Sequence, residues 1–132
     1  MAKGPYDRVD YWVRLAQYDL DTADALLHAR RYLYVGFMCH QAIEKSLKAE
    51  VVRATKGVPP FTHNLSVLAQ RAGLYESLDE QQRVFLDELE PLNVESRYPS
   101  YKKRVAEGLT RRKAAELLAR TRGLYAWLRK QS

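Results

Sequence analysis

An all-α fold, an up-and-down four-helix bundle with one short additional helix, is predicted by three features of the chain. Apolar residues recur at three- and four-residue spacing over long segments, no useful length alternates apolar with polar as a strand would, and Gly, Pro and capping residues punctuate the periodic segments. The 132 residues, 46% of them hydrophobic, can bury a core without metal or disulfide, and the whole chain, 1–132, is read as one helical domain.

Each element has its own signal. In residues 9–27, Val9, Val13, Ala16, Leu20, Ala23 and Leu27 form one stripe, widened by Trp12, Leu15 and Leu26, which predicts the first helix. Arg30 and Arg31 make a charged break. Gly36, Cys39, Ile43, Leu47, Glu50 and Ala54 then line a second helix over residues 32–56, stopped by Gly57 and the prolines Pro59 and Pro60. Thr62 is the expected N-cap of a short third helix, residues 63–72, packed through Leu65, Leu68 and Ala69 and ended by Gly73. Ser77 and Glu80 have the spacing of a capping box for a fourth helix with Val84, Phe85, Leu86 and Leu89 in the core and Pro91 at its end. Residues 93–108 are polar, contain Pro99 and mix charge signs, and are read as a helix end followed by an exposed connector. Thr110 caps the last helix, where Ala114, Leu117, Leu118, Thr121, Leu124, Tyr125 and Leu128 recur on one face and basic residues fill the other.

Charge and composition narrow the function classes. The formal net charge of +6 favours polyanions, acidic protein surfaces included. The excess is local: Lys102, Lys103, Arg104, Arg111, Arg112 and Lys113 accompany a single acid, Glu107. Such a run fits either an anion-facing patch or a solvated connector. No long uncharged apolar run supports a membrane span or a secretory signal, so a cytoplasmic protein without membrane contact is expected. Cys39 is the only cysteine, which excludes an internal disulfide and any multi-cysteine zinc site; Cys39 and His40 diverge by about 100° on one helix. No metal and no cofactor are expected, and the absence of a G-x-x-x-x-G-K loop leaves side chains and helix ends to hold any nucleotide.

Several side chains could carry chemistry. Phe37, Gln41, Glu44 and Lys48 project in nearly one direction from the second helix, as a cleft, a dimer surface or an ordinary helix surface with an i,i+4 ion pair would have it. Asp19 interrupts the apolar face of the first helix, and a buried carboxylate there needs a cation, either Lys48 or Arg97. The segments Ala16-x-x-Asp19-Leu20-x-x-Ala23, Phe37-x-x-x-Gln41-Ala42-x-Glu44-Lys45-x-Leu47-Lys48, Thr62-His63-Asn64-Leu65 and Arg97-Tyr98-Pro99 occur in that order. Together they resemble the successive signature segments of the HEPN (higher eukaryotes and prokaryotes nucleotide-binding) domain family over residues 8–130, the second segment being the most specific.

That resemblance implies a four- or five-helix bundle that commonly dimerises and is often encoded beside a minimal nucleotidyltransferase as a toxin–antitoxin or related two-component module. It also implies, for many members, metal-independent ribonuclease activity from an Arg and a His a little over one helical turn downstream, contributed by both subunits to a dimer cleft. Arg97 matches that Arg by position, yet the histidines of this chain are His28, His40 and His63, and none follows Arg97. The expectation is therefore a homodimeric nucleotide- or RNA-binding module with a nucleotidyltransferase partner. Its binding candidates are Arg97, Tyr98, Tyr101, Lys48, Glu44, Gln41, Asp19 and His63, supported by the patch of Lys102, Lys103, Arg104, Arg111 and Arg112. Tyr98 and Tyr101 fit either base contact or packing of the connector, and His63 either the site or local hydrogen bonding. The alternatives are a ribonuclease with a non-standard site and a dimeric adaptor without a nucleic-acid ligand.

Overall fold

In a computed structural model describing residues 5–95 and 97–131, the order is α1 (Pro5–His28), α2 (Tyr32–Thr55), α3 (Leu65–Arg71), α4 (Glu80–Leu89), α5 (Pro99–Gly108) and α6 (Arg111–Lys130). No strand occurs among the described residues, and none of their helices is long and apolar enough to cross a membrane. The architecture is an all-α bundle.

The α1 stripe places Val9, Ala16, Leu20 and Ala23 in the core. Opposite them α2 is buried nearly all round, from Val35 and Cys39 to Val51 and Val52, as a central helix must be. Against α2 also pack Leu117, Leu118, Leu124 and Leu128 of α6 and Leu65 and Leu68 of α3, within one continuous apolar cluster. Ala54, expected on the packed face of α2, is exposed near the end of the helix.

The ends differ from the simplest reading in instructive ways. The left-handed residue closing α2 is Lys56 (φ 62°), not Gly57. Its N–H reaches the Val52 carbonyl, and its own carbonyl accepts from the Arg8 guanidinium at 2.8 Å, contacts that offset a strain of about 1 kcal/mol. Asn64, not Thr62, caps α3: its Oδ1 accepts from Val67 N at 3.0 Å, while Thr62 Oγ1 accepts from Asn64 N. His63 consequently lies before the helix rather than in it. The capping box of α4 is Asp79 with Gln82, because Ser77 closes a 3-10 turn, Tyr75–Ser77. Phe85, Leu86 and Leu89 are buried, but Val84 is 46% exposed on the outer face.

The largest correction concerns the expected connector. A 3-10 turn, Glu90–Leu92, is followed by a ten-residue helix, α5, opened by Pro99, whose fixed φ suits a first helical turn. It has no fully buried residue and rests on the bundle through Tyr101, Lys102, Val105 and Ala106. Gly36 allows the close approach at its far end, since a Cβ there would lie 3.1 Å from Leu109 Cδ1 and 3.4 Å from Leu92 Cδ1. Thr110 caps α6 as predicted, its Oγ1 accepting from Lys113 N.

Candidate functional site

Glu44 is the hub of a polar cluster enclosed between α2 and the loop before α3. It is 3% exposed, and Lys48 Nζ donates to its Oε2 at 3.0 Å. Its Oε1 is 3.0 Å from His63 Nδ1 and 3.8 Å from His40 Nδ1. A carboxylate this deep is stable only when paired and hydrogen-bonded, and here both oxygens have partners. The Lys48 ammonium also lies 5.5 Å from the centroid of the Trp12 ring, so α1 closes the cluster from the other side.

Neighbouring groups extend the network. His40 is fully buried, and burial holds it neutral by pushing its pKa down to about 4, although Glu44 and the His63 backbone favour the proton. Its Nε2 has no hydrogen-bond partner. Gln41 Nε2 lies 3.3 Å from His40 Nδ1 and donates to Asn93 Oδ1 at 3.4 Å, tethering the start of the α4–α5 connection to α2. Glu90 accepts from the Leu65 backbone N–H; burial pushes its carboxyl upward, as do Asp87 and Glu44, against the Leu65 hydrogen bond and His63. The half-buried Phe37 packs edge-on to Tyr34 at 6.4 Å.

The second group is exposed. Arg97 stands just before α5, its guanidinium 5.3 Å from the Tyr101 ring centroid, with Arg104 5.8 Å from the same ring. Tyr101 is fixed by donating its hydroxyl to the Pro91 carbonyl at 2.7 Å, whereas Tyr98 is 83% exposed. Lys103, Arg104, Arg111 and Arg112 are exposed and Lys102 is half-buried; Arg112 pairs with Glu116 one turn on. Among the described residues no carboxylate pairs with Arg97, Arg104, Lys103 or Arg111.

Asp19 is buried as the stripe required, but its cation is Lys45 at 2.6 Å, not Lys48 or Arg97. Lys48 is already committed to Glu44, and Arg97 is exposed beyond Val94, whose carbonyl accepts its backbone N–H. Burial nevertheless leaves the Asp19 carboxyl above its ordinary range, the Lys45 hydrogen bond and charge pulling it back. Sequence reasoning singled out Gln41, Glu44, Lys48 and His63, which the fold does bring together, and missed His40, Glu90 and Asn93. The four-residue spacing of His40 and Glu44 was the available signal for one of these. Cys39 packs beside Thr121 with its thiol pushed up to about 11 by burial. Among the described residues no group of three or more His, Cys, Asp or Glu side chains is arranged to hold a metal ion.

Comparison with known proteins adds the family. No curated protein matches the chain. The crystal structure of TT1696 from Thermus thermophilus is similar with a TM-score of 0.78 at 23% identity, over 95% of this chain and 98% of that one. That of ST0689, an archaeal HEPN homologue, is similar with a TM-score of 0.64 at 22% identity, over 93% and 96% of the respective chains. At such identities the likeness is one of fold. The HEPN domain model itself matches residues 9–131, which include α2 with its Glu44 hub and the Arg97 segment, and on that match the chain belongs to the HEPN domain family.

Proposed function

We propose that this protein is a nucleotide- or RNA-binding HEPN module in which Arg97 holds phosphate. The observation that carries the reading is the Arg97–Tyr101–Arg104 stack. Two guanidiniums share one ring whose hydroxyl is anchored to Pro91, so at least one forked donor set is held near a fixed position without a competing carboxylate among the described residues. The exposed Tyr98 ring offers a face for a base, and Lys103 and Arg111 add cationic charge nearby along the chain. Asp19, engaged by Lys45, has a structural role in this reading, while Gln41, Glu44, Lys48 and His63 form the wall beside the connector. The module acts as a homodimer with a minimal nucleotidyltransferase as its partner, in a toxin–antitoxin-like pair in the cytoplasm; family membership is what supports this part.

Fluorescence anisotropy with a labelled short RNA and with free nucleotides, at two salt concentrations, tests the binding. Arg97→Ala should leave the melting temperature within about 1 °C, because the side chain is exposed, and weaken binding at least tenfold. Affinity should fall steeply with added salt as counterions return to the phosphates. Equal and salt-independent affinities of wild type and Arg97→Ala would reject the assignment.

A further inference from the structure

The turn between α1 and α2 presents two exposed arginines, Arg30 and Arg31. Two backbone bonds close it, Arg30 N to Leu27 O at 3.1 Å and Arg31 N to Leu26 O at 2.9 Å, with Arg30 left-handed at φ 62°. Glycine is the usual occupant of the left-handed place in this motif, because a Cβ there crowds the following carbonyl. The chain therefore carries a long cationic side chain where the backbone alone favours none. Among the described residues neither guanidinium makes a hydrogen bond or an ion pair, so neither side chain supports the fold through a polar contact.

Both arginines border a surface cavity of about 300 Å³, walled by Leu33 and Tyr34 of α2 and by Ala106 and Leu109 at the far end of α5. Tyr34 is 38% exposed and packs edge-on against Phe37, which holds a partly open aromatic ring in place there. An apolar cavity with an aromatic wall suits an unpaired base, and guanidiniums beside it suit the phosphates on either side of that base.

Helix α5 links this cavity to Arg97. Tyr101, whose ring centroid is 5.3 Å from the Arg97 guanidinium and 5.8 Å from that of Arg104, begins a row that continues four residues at a time through Val105 to Leu109. The row advances about 12 Å, and a stacked strand advances about 3.4 Å per nucleotide, so three or four nucleotide steps cover the interval. Lys103 and Arg104 add charge along it, against the one acid of α5, Glu107.

Building on the assignment of Arg97 as the phosphate holder, we propose that the cavity at the α1–α2 turn is a second subsite of the same ligand. It takes an unpaired base, with Arg30 and Arg31 on the neighbouring phosphates. The ligand is then a single strand of at least about five nucleotides, because a free nucleotide reaches one end only and a duplex keeps its bases paired.

The test is anisotropy with the full chain and labelled oligoribonucleotides of two and twelve nucleotides, the longer one also annealed to its complement. The single-stranded twelve-mer should bind at least tenfold more tightly than the two-mer and more tightly than the duplex. Arg30→Gly and Arg31→Ala should each weaken the twelve-mer at least threefold and lower its salt slope by about 0.7, the value for one phosphate contact on a single strand. Both should leave the two-mer within about twofold of wild type, whereas Arg97→Ala should weaken both strands. Arg30→Gly relieves a left-handed Cβ, so its melting temperature should equal or exceed that of wild type, which separates lost binding from lost folding. Should Arg30→Gly melt lower, the Arg31→Ala arm decides. A twelve-mer that binds no better than the two-mer, or turn variants that hold it as wild type does, overturns the proposal and leaves Arg97 standing. Failure of Arg97→Ala to weaken either strand removes that assignment and the proposal with it.

Discussion

Replacing Lys48 by Ala should cost this fold about 2 to 4 kcal/mol. The ammonium donates to Glu44 at 3.0 Å with both side chains about 90% buried or more, and a hydrogen bond between charged groups contributes roughly 1.5 to 3 kcal/mol. It also lies 5.5 Å from the Trp12 ring centroid, a cation–π contact contributing about 0.5 to 2 kcal/mol where water is scarce. Loss of one member of a buried pair generally costs about 3 to 5 kcal/mol, since the survivor stays uncompensated. Here His63 remains on Glu44 and moderates that loss. The control is Arg14→Ala, which breaks an i,i+4 pair with Asp10 at 2.8 Å whose side chains are 80% and 57% exposed; the expected loss is a few tenths of a kcal/mol. Urea denaturation of wild type and both variants gives the comparison directly. A double variant, Lys48→Met with Glu44→Gln, should recover much of the loss by removing both charges while keeping the volume. Equal losses for Lys48→Ala and Arg14→Ala would show that the Glu44 cluster is solvated and would refute the reasoning.

The remaining predictions concern titration, reactivity and assembly. His40 stays neutral in the folded protein down to about pH 4, whereas the unfolded chain protonates it near pH 6.5. Its contribution is thus lost as pH falls through that window, by about 1.4 kcal/mol per pH unit. Asp19, Glu50 and Glu90, all pushed up by burial, take up protons earlier in the folded state and act in the opposite sense. The difference between wild type and His40→Gln isolates the histidine, and a pH-independent difference would contradict its burial as a neutral ring. Cys39, buried with its thiol pushed up to about 11, should resist a maleimide in the native protein and react on unfolding; rapid native labelling measured by mass would contradict its packing. Light scattering should give about twice the chain mass of 15.3 kDa, and a monomer at high micromolar concentration would remove the homodimer from the proposal.

The helices that sequence reading located best are those whose stripes are dense. In α1, α2 and α6 an apolar residue returns every three or four positions over at least five turns, and few other arrangements bury such a pattern. Local signals failed where two frames fit equally. Ser77 with Glu80 and Asp79 with Gln82 both have capping-box spacing. The burial of Leu78, 3% exposed, folds Tyr75–Ser77 into its own turn and leaves Asp79 to open α4. Helix α5 escaped because its inner face is sparse and its anchors are distant: the Tyr101 hydroxyl on Pro91, and Leu109 against Gly36.

The same distinction separates what was legible in the candidate site from what was not. The row Gln41, Glu44, Lys48 follows from helical period alone, but its burial depends on Trp12 of α1 and His63 of the following loop, which no local pattern links to it. An amphipathic reading assigns a polar row to solvent by default. That default fails where another element covers the row, and the covering is stable only because each charge finds its complement: Lys48 for Glu44, and Lys45 for Asp19. The cation for Asp19 could not be chosen from sequence, because Lys45 and Lys48 are three residues apart on one helix and the rotation of α1 against α2 decides which one reaches it. Such a network costs stability relative to an apolar core of equal volume. It is retained where α2 meets the connector that carries Arg97, Gln41 donating there to Asn93.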